Sequence, residues 1–136
     1  MTRKALAAIV ALAVSGTACL CPSARAEADQ VKAVLSEKLP NVPGKSLTAV
    51  VVNYAPGGKS LSHHHAGSVF AYVLSGAIRS ENSATGPARV YKAGESFFEP
   101  PGSEHLVSEN ASATEPASLL AVFVADDGAK LTTFGK

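Results

Sequence analysis

Between residues 45 and 124 the chain breaks into short β-rich runs, most of them closed by glycine or proline, and this punctuation restricts its fold more than any other feature. The runs occupy positions 46–54, 69–74, 89–91, 95–98, 105–108 and 118–124. Ala55-Pro56-Gly57-Gly58, Ser75-Gly76, Thr85-Gly86-Pro87, Ala93-Gly94 and Pro100-Pro101-Gly102 lie between them. Short strands with turn signals at this spacing indicate a sandwich or barrel, an all-β fold. In 69–74 one face carries Val69, Ala71 and Val73, and the other carries Phe70, Tyr72 and Leu74. Residues 119–124 are likewise apolar on both faces. A strand with one solvated face alternates apolar with polar. A second sheet or a partner subunit is therefore expected over the outer face. A domain this small gains from association, so a homodimer is expected.

Residues 1–26 read as an export signal. Arg3 and Lys4 open it, an uncharged apolar run follows from Ala5 to Leu20, and Ala24-Arg25-Ala26 supplies a small-x-small cleavage site. The mature chain should begin at Glu27 and be periplasmic or secreted. A membrane anchor is the weaker reading, because the run is short for a span of roughly 20 residues and Pro22 follows it. A lipoprotein would need Leu or Val three positions before Cys19 or Cys21, where Gly16 and Ala18 stand. Cleavage removes both cysteines, which excludes disulfides, thiolate ligands and cysteine nucleophiles. It also removes three of the twelve basic residues and none of the eleven acidic ones, leaving a net charge of −2. With no basic cluster there is no footprint for nucleic acid. No charged amphipathic helix suggests a membrane partner once the signal is gone.

Residues 27–44 are expected to form an N-terminal helical arm. Val31, Val34, Leu35, Lys38 and Leu39 recur at helical spacing, Asp29 is placed to cap the start, and Pro40, Pro43 and Gly44 end the pattern. Residues 45–136 are then the barrel.

All four histidines fall in two segments, His63-His64-His65 and Glu104-His105. Taken alone, a run of three histidines reads as a solvated loop. On a strand, however, residues i and i+2 share a face, so His63 and His65 aim together while His64 faces away. His105 would complete a three-imidazole site for a divalent transition metal, with Fe, Ni, Zn, Mn and Cu not distinguished.

The spacing resembles the cupin superfamily. Gly57, five residues, His63-x-His65 and then Gly76 resemble its first motif. Gly94, five residues, Pro100-x-Gly102, two residues and His105 resemble its second, with Asn110 one position later than the usual asparagine. The resemblance spans about residues 48–124. It implies a cupin-type double-stranded β-helix, or jelly-roll barrel, with a metal inside and a small-molecule substrate entering from one open end.

One departure changes the chemistry. The first cupin motif places a glutamate four residues after the second histidine, and here that position is Val69. Three neutral imidazoles leave the metal's full charge and favour an anionic ligand. Glu99 is a candidate additional ligand, although its direction across the Pro-Pro-Gly turn is not legible and a rim position is the alternative. Glu95 is a further candidate. Glu104 neighbours His105 and should face the other way unless the strand is bulged. Ser62, Ser68 and Ser96 are candidate hydrogen-bond partners of the histidines. Tyr54, Tyr72, Phe70, Phe97 and Phe98 read as core, with Phe97 and Phe98 on opposite faces.

Two functional readings follow. One is a metal-dependent enzyme acting on a small, oxygen-rich organic anion, by dioxygenase-like or Lewis-acid chemistry. The other is a non-catalytic module that captures a small ligand or a metal, which Val69 supports by removing the carboxylate.

Overall fold

Residues 30–135 are described by a computed structural model of the chain. Its strands are β1 (Gln30–Lys38), β2 (Lys45–Tyr54), β3 (His63–His65), β4 (Ser68–Ser75), β5 (Ala77–Asn82), β6 (Gly86–Lys92), β7 (Ser96–Glu99), β8 (Glu104–Asn110), β9 (Ala117–Asp126) and β10 (Thr132–Phe134). They form two five-stranded sheets, ordered β1-β2-β9-β4-β7 and β10-β3-β8-β5-β6. Every named pairing is antiparallel. The inner faces enclose the core, with Val69, Val73 and Ile78 fully buried and Ala71, Leu119 and Phe123 beside them. The expected jelly-roll barrel is therefore present. The export signal lies outside the described residues.

The expected N-terminal helix is not. Its described part is the edge strand β1, paired with β2 from Gln30↔Asn53 to Lys38↔Ser46. The register shifts between Ala33 and Leu35, which leaves Val34 as an extra residue. Such a bulge breaks strict alternation. It spaces Val31, Val34 and Leu35 much as a helix would, which is how the pattern misleads. The open edge of β2 supplies hydrogen-bond partners along the whole segment. Pro40, Pro43 and Gly44 do stop the element, as the tight connection of a β1–β2 hairpin, with Leu39 N–H donating to the Lys45 carbonyl at 2.8 Å.

Two glycines hold the sheets where they are. Gly76 lies at φ +67°, and a Cβ there would sit 2.7 Å from the Pro116 carbonyl oxygen. Gly67 joins β3 to β4 where a Cβ would come 2.2 Å from the Val124 carbonyl oxygen, so only glycine lets this corner press against β9.

The two-faced strand behaves differently from the expectation in one respect. Val69, Ala71 and Val73 point into the barrel, whereas Phe70, Tyr72 and Leu74 are exposed on the outer face, joined there by Phe98. The second sheet covers the inner face only. Phe70 and Tyr72 are thus not core residues. Tyr54 is, with its hydroxyl 2.6 Å from Ser108 Oγ.

Candidate metal centre

The three histidines meet inside the barrel. β3 pairs with β8 so that His63 lies directly opposite His105, while His64 lies opposite Glu104 on the other face. The His63 ring centroid is 4.8 Å from that of His65 and 5.0 Å from that of His105. All three side chains are buried, and they offer ligand atoms within 4.8 Å of one another, so they could hold a metal ion.

β8 achieves this with a bulge. Glu81 pairs with Val107 but Asn82 pairs with His105, leaving Leu106 extra. His105 and Ser108 therefore both face inward, although a regular strand would separate them. The same residue accounts for the late asparagine. Five positions from His105 would turn Asn110 outward on a regular strand, and the bulge returns it to the buried face. There its amide donates to the Ala55 and Glu115 carbonyls and closes the adjoining loops.

Hydrogen bonds set the tautomers of His63 and His65. His63 Nδ1 is 2.7 Å from the Leu61 carbonyl oxygen, and His65 Nδ1 is 3.1 Å from that of Leu131 and 3.2 Å from Thr132 Oγ1. A carbonyl can only accept, so each Nδ1 carries the proton and each Nε2 the lone pair. His105 is oriented the other way: its Nε2 lies 2.8 Å from Ser80 Oγ, and its buried Nδ1 is turned to Glu99. Anchoring one ring nitrogen on a protein oxygen is usual for a metal-ligating histidine.

Glu99 lies beside the cluster. It is buried, and Val69 of β4 is its direct cross-strand partner on β7. A carboxylate thus stands on the neighbouring strand in the same row of the sheet as position 69. Glu99 Oε2 is 3.0 Å from His105 Nδ1 and 3.8 Å from His65 Nε2. The His105 Nδ1 is buried and its contact with Glu99 is not aligned as a hydrogen bond. Ser80 Oγ can donate to Nε2, so without a metal Nδ1 can carry a proton toward the carboxylate, and a bound cation would take that proton's place. Two donors bound at right angles to one ion at about 2.1 Å would themselves be about 3.0 Å apart. The residues present therefore fit a divalent ion. Burial alone would raise the Glu99 carboxyl, but the contact and charge of His105, with the charges of His65 and His63, hold it below the ordinary range. Burial pushes His65 below its usual value despite the pull of Glu99.

The remaining candidates fall elsewhere. Glu104 accepts from Ser62 Oγ at 2.6 Å on the far side of β3, and Glu95 accepts from the Lys92 backbone N–H. Ser62 therefore does not serve a histidine. Ser80, which does, lies on β5, a strand too polar to be recognised in the sequence. Phe97 lines the cavity and Phe98 faces out. The cavity has a volume of about 430 Å³, with the histidines and Glu99 in its wall.

A family model described as the cupin domain matches residues 50–123. The chain belongs to the cupin family. No curated protein matches this cupin. Among solved structures it is similar to an uncharacterized conserved protein with a double-stranded β-helix domain from Klebsiella pneumoniae subsp. pneumoniae MGH 78578. That pair is 24% identical, over 81% of this chain and 86% of that one, with a TM-score of 0.63. It is also similar to DMSP lyase DddQ from Ruegeria pomeroyi DSS-3, at 20% identity over 79% of this chain and 51% of that one, TM-score 0.62. A third is the oxalate decarboxylase of Lactobacillus farciminis, at 21% identity over 79% of this chain and 31% of that one, TM-score 0.63. The cupin thus spans about half of the lyase and a third of the decarboxylase, and these likenesses establish the fold.

Proposed function

We propose that this chain is an exported cupin enzyme in which His63, His65, His105 and Glu99 hold one divalent transition metal, and that the centre acts on a small organic anion presenting oxygen atoms to it. The observation that carries this reading is the convergence of three buried imidazoles with ligand atoms within 4.8 Å of one another, beside the buried Glu99 carboxylate. The bound ion would supply Lewis acidity toward the ligand's oxygens, or redox chemistry if it is iron or copper. The protein's own residues do the rest. Ser80, Leu61 and Leu131 hold the imidazoles in their orientations. Glu99 lowers the net charge of the centre and so weakens its hold on anionic products. Val69 was the argument for a non-catalytic module, and the buried Glu99 carboxylate beside the histidines weighs against it.

Metal analysis of untagged protein tests the centre. One equivalent of metal is expected, lost in His63→Ala and His105→Ala. Glu99→Val should weaken binding, and adding Val69→Glu to it should recover most of the loss, because the carboxylate is then offered from the opposite residue of the same row. Unchanged metal binding in Glu99→Val would show that Glu99 is not a ligand. Turnover by the metal-loaded enzyme across diketones, flavonols and short organic acids distinguishes catalysis from capture. Export predicts a mature N-terminus at Glu27, read by sequencing the protein from the periplasm or medium.

A further inference from the structure

The wall of the cavity that faces the imidazoles is largely apolar. The imidazoles come from β3 and β8 in one sheet. The facing wall comes from β2, β4 and β9, and apart from Glu99 at its edge it is apolar: Val50, Val52, Leu119, Ala121 and Phe123 line it. Ala71 and Ala121 are direct cross-strand partners, and their small side chains leave the space that larger residues would fill. The other polar atoms in the lining already have protein partners. Tyr54 Oη lies 2.6 Å from Ser108 Oγ and 3.3 Å from Ser60 Oγ, and Thr132 Oγ1 is engaged by His65. The rim is apolar too, since Val31, Leu61 and Phe134 line the cavity yet are 64%, 75% and 56% exposed. Lys59, exposed at the same rim, adds the one lysine of the lining.

A ligand rich in oxygen along its whole length would leave most of those oxygens without partners against this wall, at a large desolvation cost. We propose that the ligand is an organic monoanion with its oxygens gathered at one end, bound at the metal, and an apolar aliphatic or aromatic body lying on the β2–β9 wall. This rests on the metal centre proposed above and narrows its substrate class. Sugars are disfavoured, as are short dianions whose second charge ends on the apolar wall short of Lys59.

The test is a calorimetric ladder of acetate, butanoate, hexanoate and succinate on the metal-loaded, untagged mature chain, with metal content measured on the same samples. Each methylene that reaches the wall should tighten binding about fourfold. Butanoate should bind at least tenfold tighter than succinate, which has the same head and length but a second charge where the wall is apolar. Ala121→Leu should keep the metal and the acetate affinity and lose the gain with chain length. A flat ladder on protein carrying one equivalent of metal, or succinate binding as well as butanoate, overturns the inference and leaves the metal centre standing. Protein that takes up no metal overturns both. The ladder on the unsubstituted chain decides the matter even if Ala121→Leu does not fold.

Discussion

At the scale of single residues, the centre depends on which nitrogen of His105 is turned to Glu99. Ser80 fixes this from β5 through a 2.8 Å contact to Nε2. Loss of such an outer partner typically costs about 10–100-fold in metal affinity. Ser80→Ala should fall in that range in a competition titration, while Ser80→Thr, which keeps the hydroxyl, should stay near the unsubstituted value. Equal affinity in all three would mean that His105 needs no anchor. The metal-free protein should also lose stability in acid. The folded-state values of His65 and Glu99 both lie below their ordinary 6.5 and 4.5. Both groups therefore bind protons more readily in the unfolded chain. Their contribution is complete above the unfolded values and is lost as pH falls through 6.5 for His65 and then through 4.5 for Glu99. Melting temperatures measured in chelator should decline steadily on acidification, and a rise below neutrality would contradict the arrangement.

At the scale of elements, the six runs expected from apolar content all became strands, with bounds shifted by a few residues. Their signal was the packing of β-branched and aromatic side chains on a pleated surface, which local sequence records well. β5, β10 and β1 were not legible. β5 reads Ala-Ile-Arg-Ser-Glu-Asn and alternates toward a polar interior, because its inner face carries Ser80 and Asn82 beside the histidines. A strand that builds a site thus loses the pattern that announces strands. β10 is three residues of edge pairing against β3, and β1 hides its period behind a bulge. The three histidines were legible because a two-residue period fixes their face. The direction of Glu99 was not, because it depends on the β4–β7 register across a turn. The Gly67 corner offers a test at this scale. A methyl group there would collide with β9 backbone, and its φ lies outside the left-handed region, so the cost is close approach alone. Gly67→Ala should destabilise the barrel by about 1–3 kcal/mol in denaturant unfolding, the usual range for forced overpacking. A neutral effect would mean that the β3–β4 corner moves freely away from β9.

At the scale of the whole molecule, the outer face of the β1-β2-β9-β4-β7 sheet is what a single chain leaves unfinished. Phe70 and Phe98 are cross-strand partners and each is about half exposed, with Tyr72, Leu74 and Val124 exposed on the same face. Leu120 and Val122 of β9 lie between β4 and β2 on that face, only partly buried. Contiguous apolar surface of this kind on a small domain marks an interface. A second copy of the chain suits it best. In a two-fold dimer each patch meets its own likeness, so any charge on it would face a like charge. The centre of this patch carries none, and Lys45 and Asp126 pair with each other at its margin. The homodimer expected from the two-faced strand is therefore predicted to form through this sheet. Phe70→Lys tests it. Symmetry enters the substitution twice, removing two buried rings worth about 1.5–3 kcal/mol each and placing two ammonium groups in one interface. The variant should run as a monomer in light scattering where the unsubstituted chain runs as a dimer. It should still fold, because the ring makes no part of the barrel interior, and it should still take up its metal, because the centre lies on the opposite face of β4. An unsubstituted chain that stays monomeric at high concentration would leave this face for some other partner. A dimer untouched by Phe70→Lys would place the interface elsewhere.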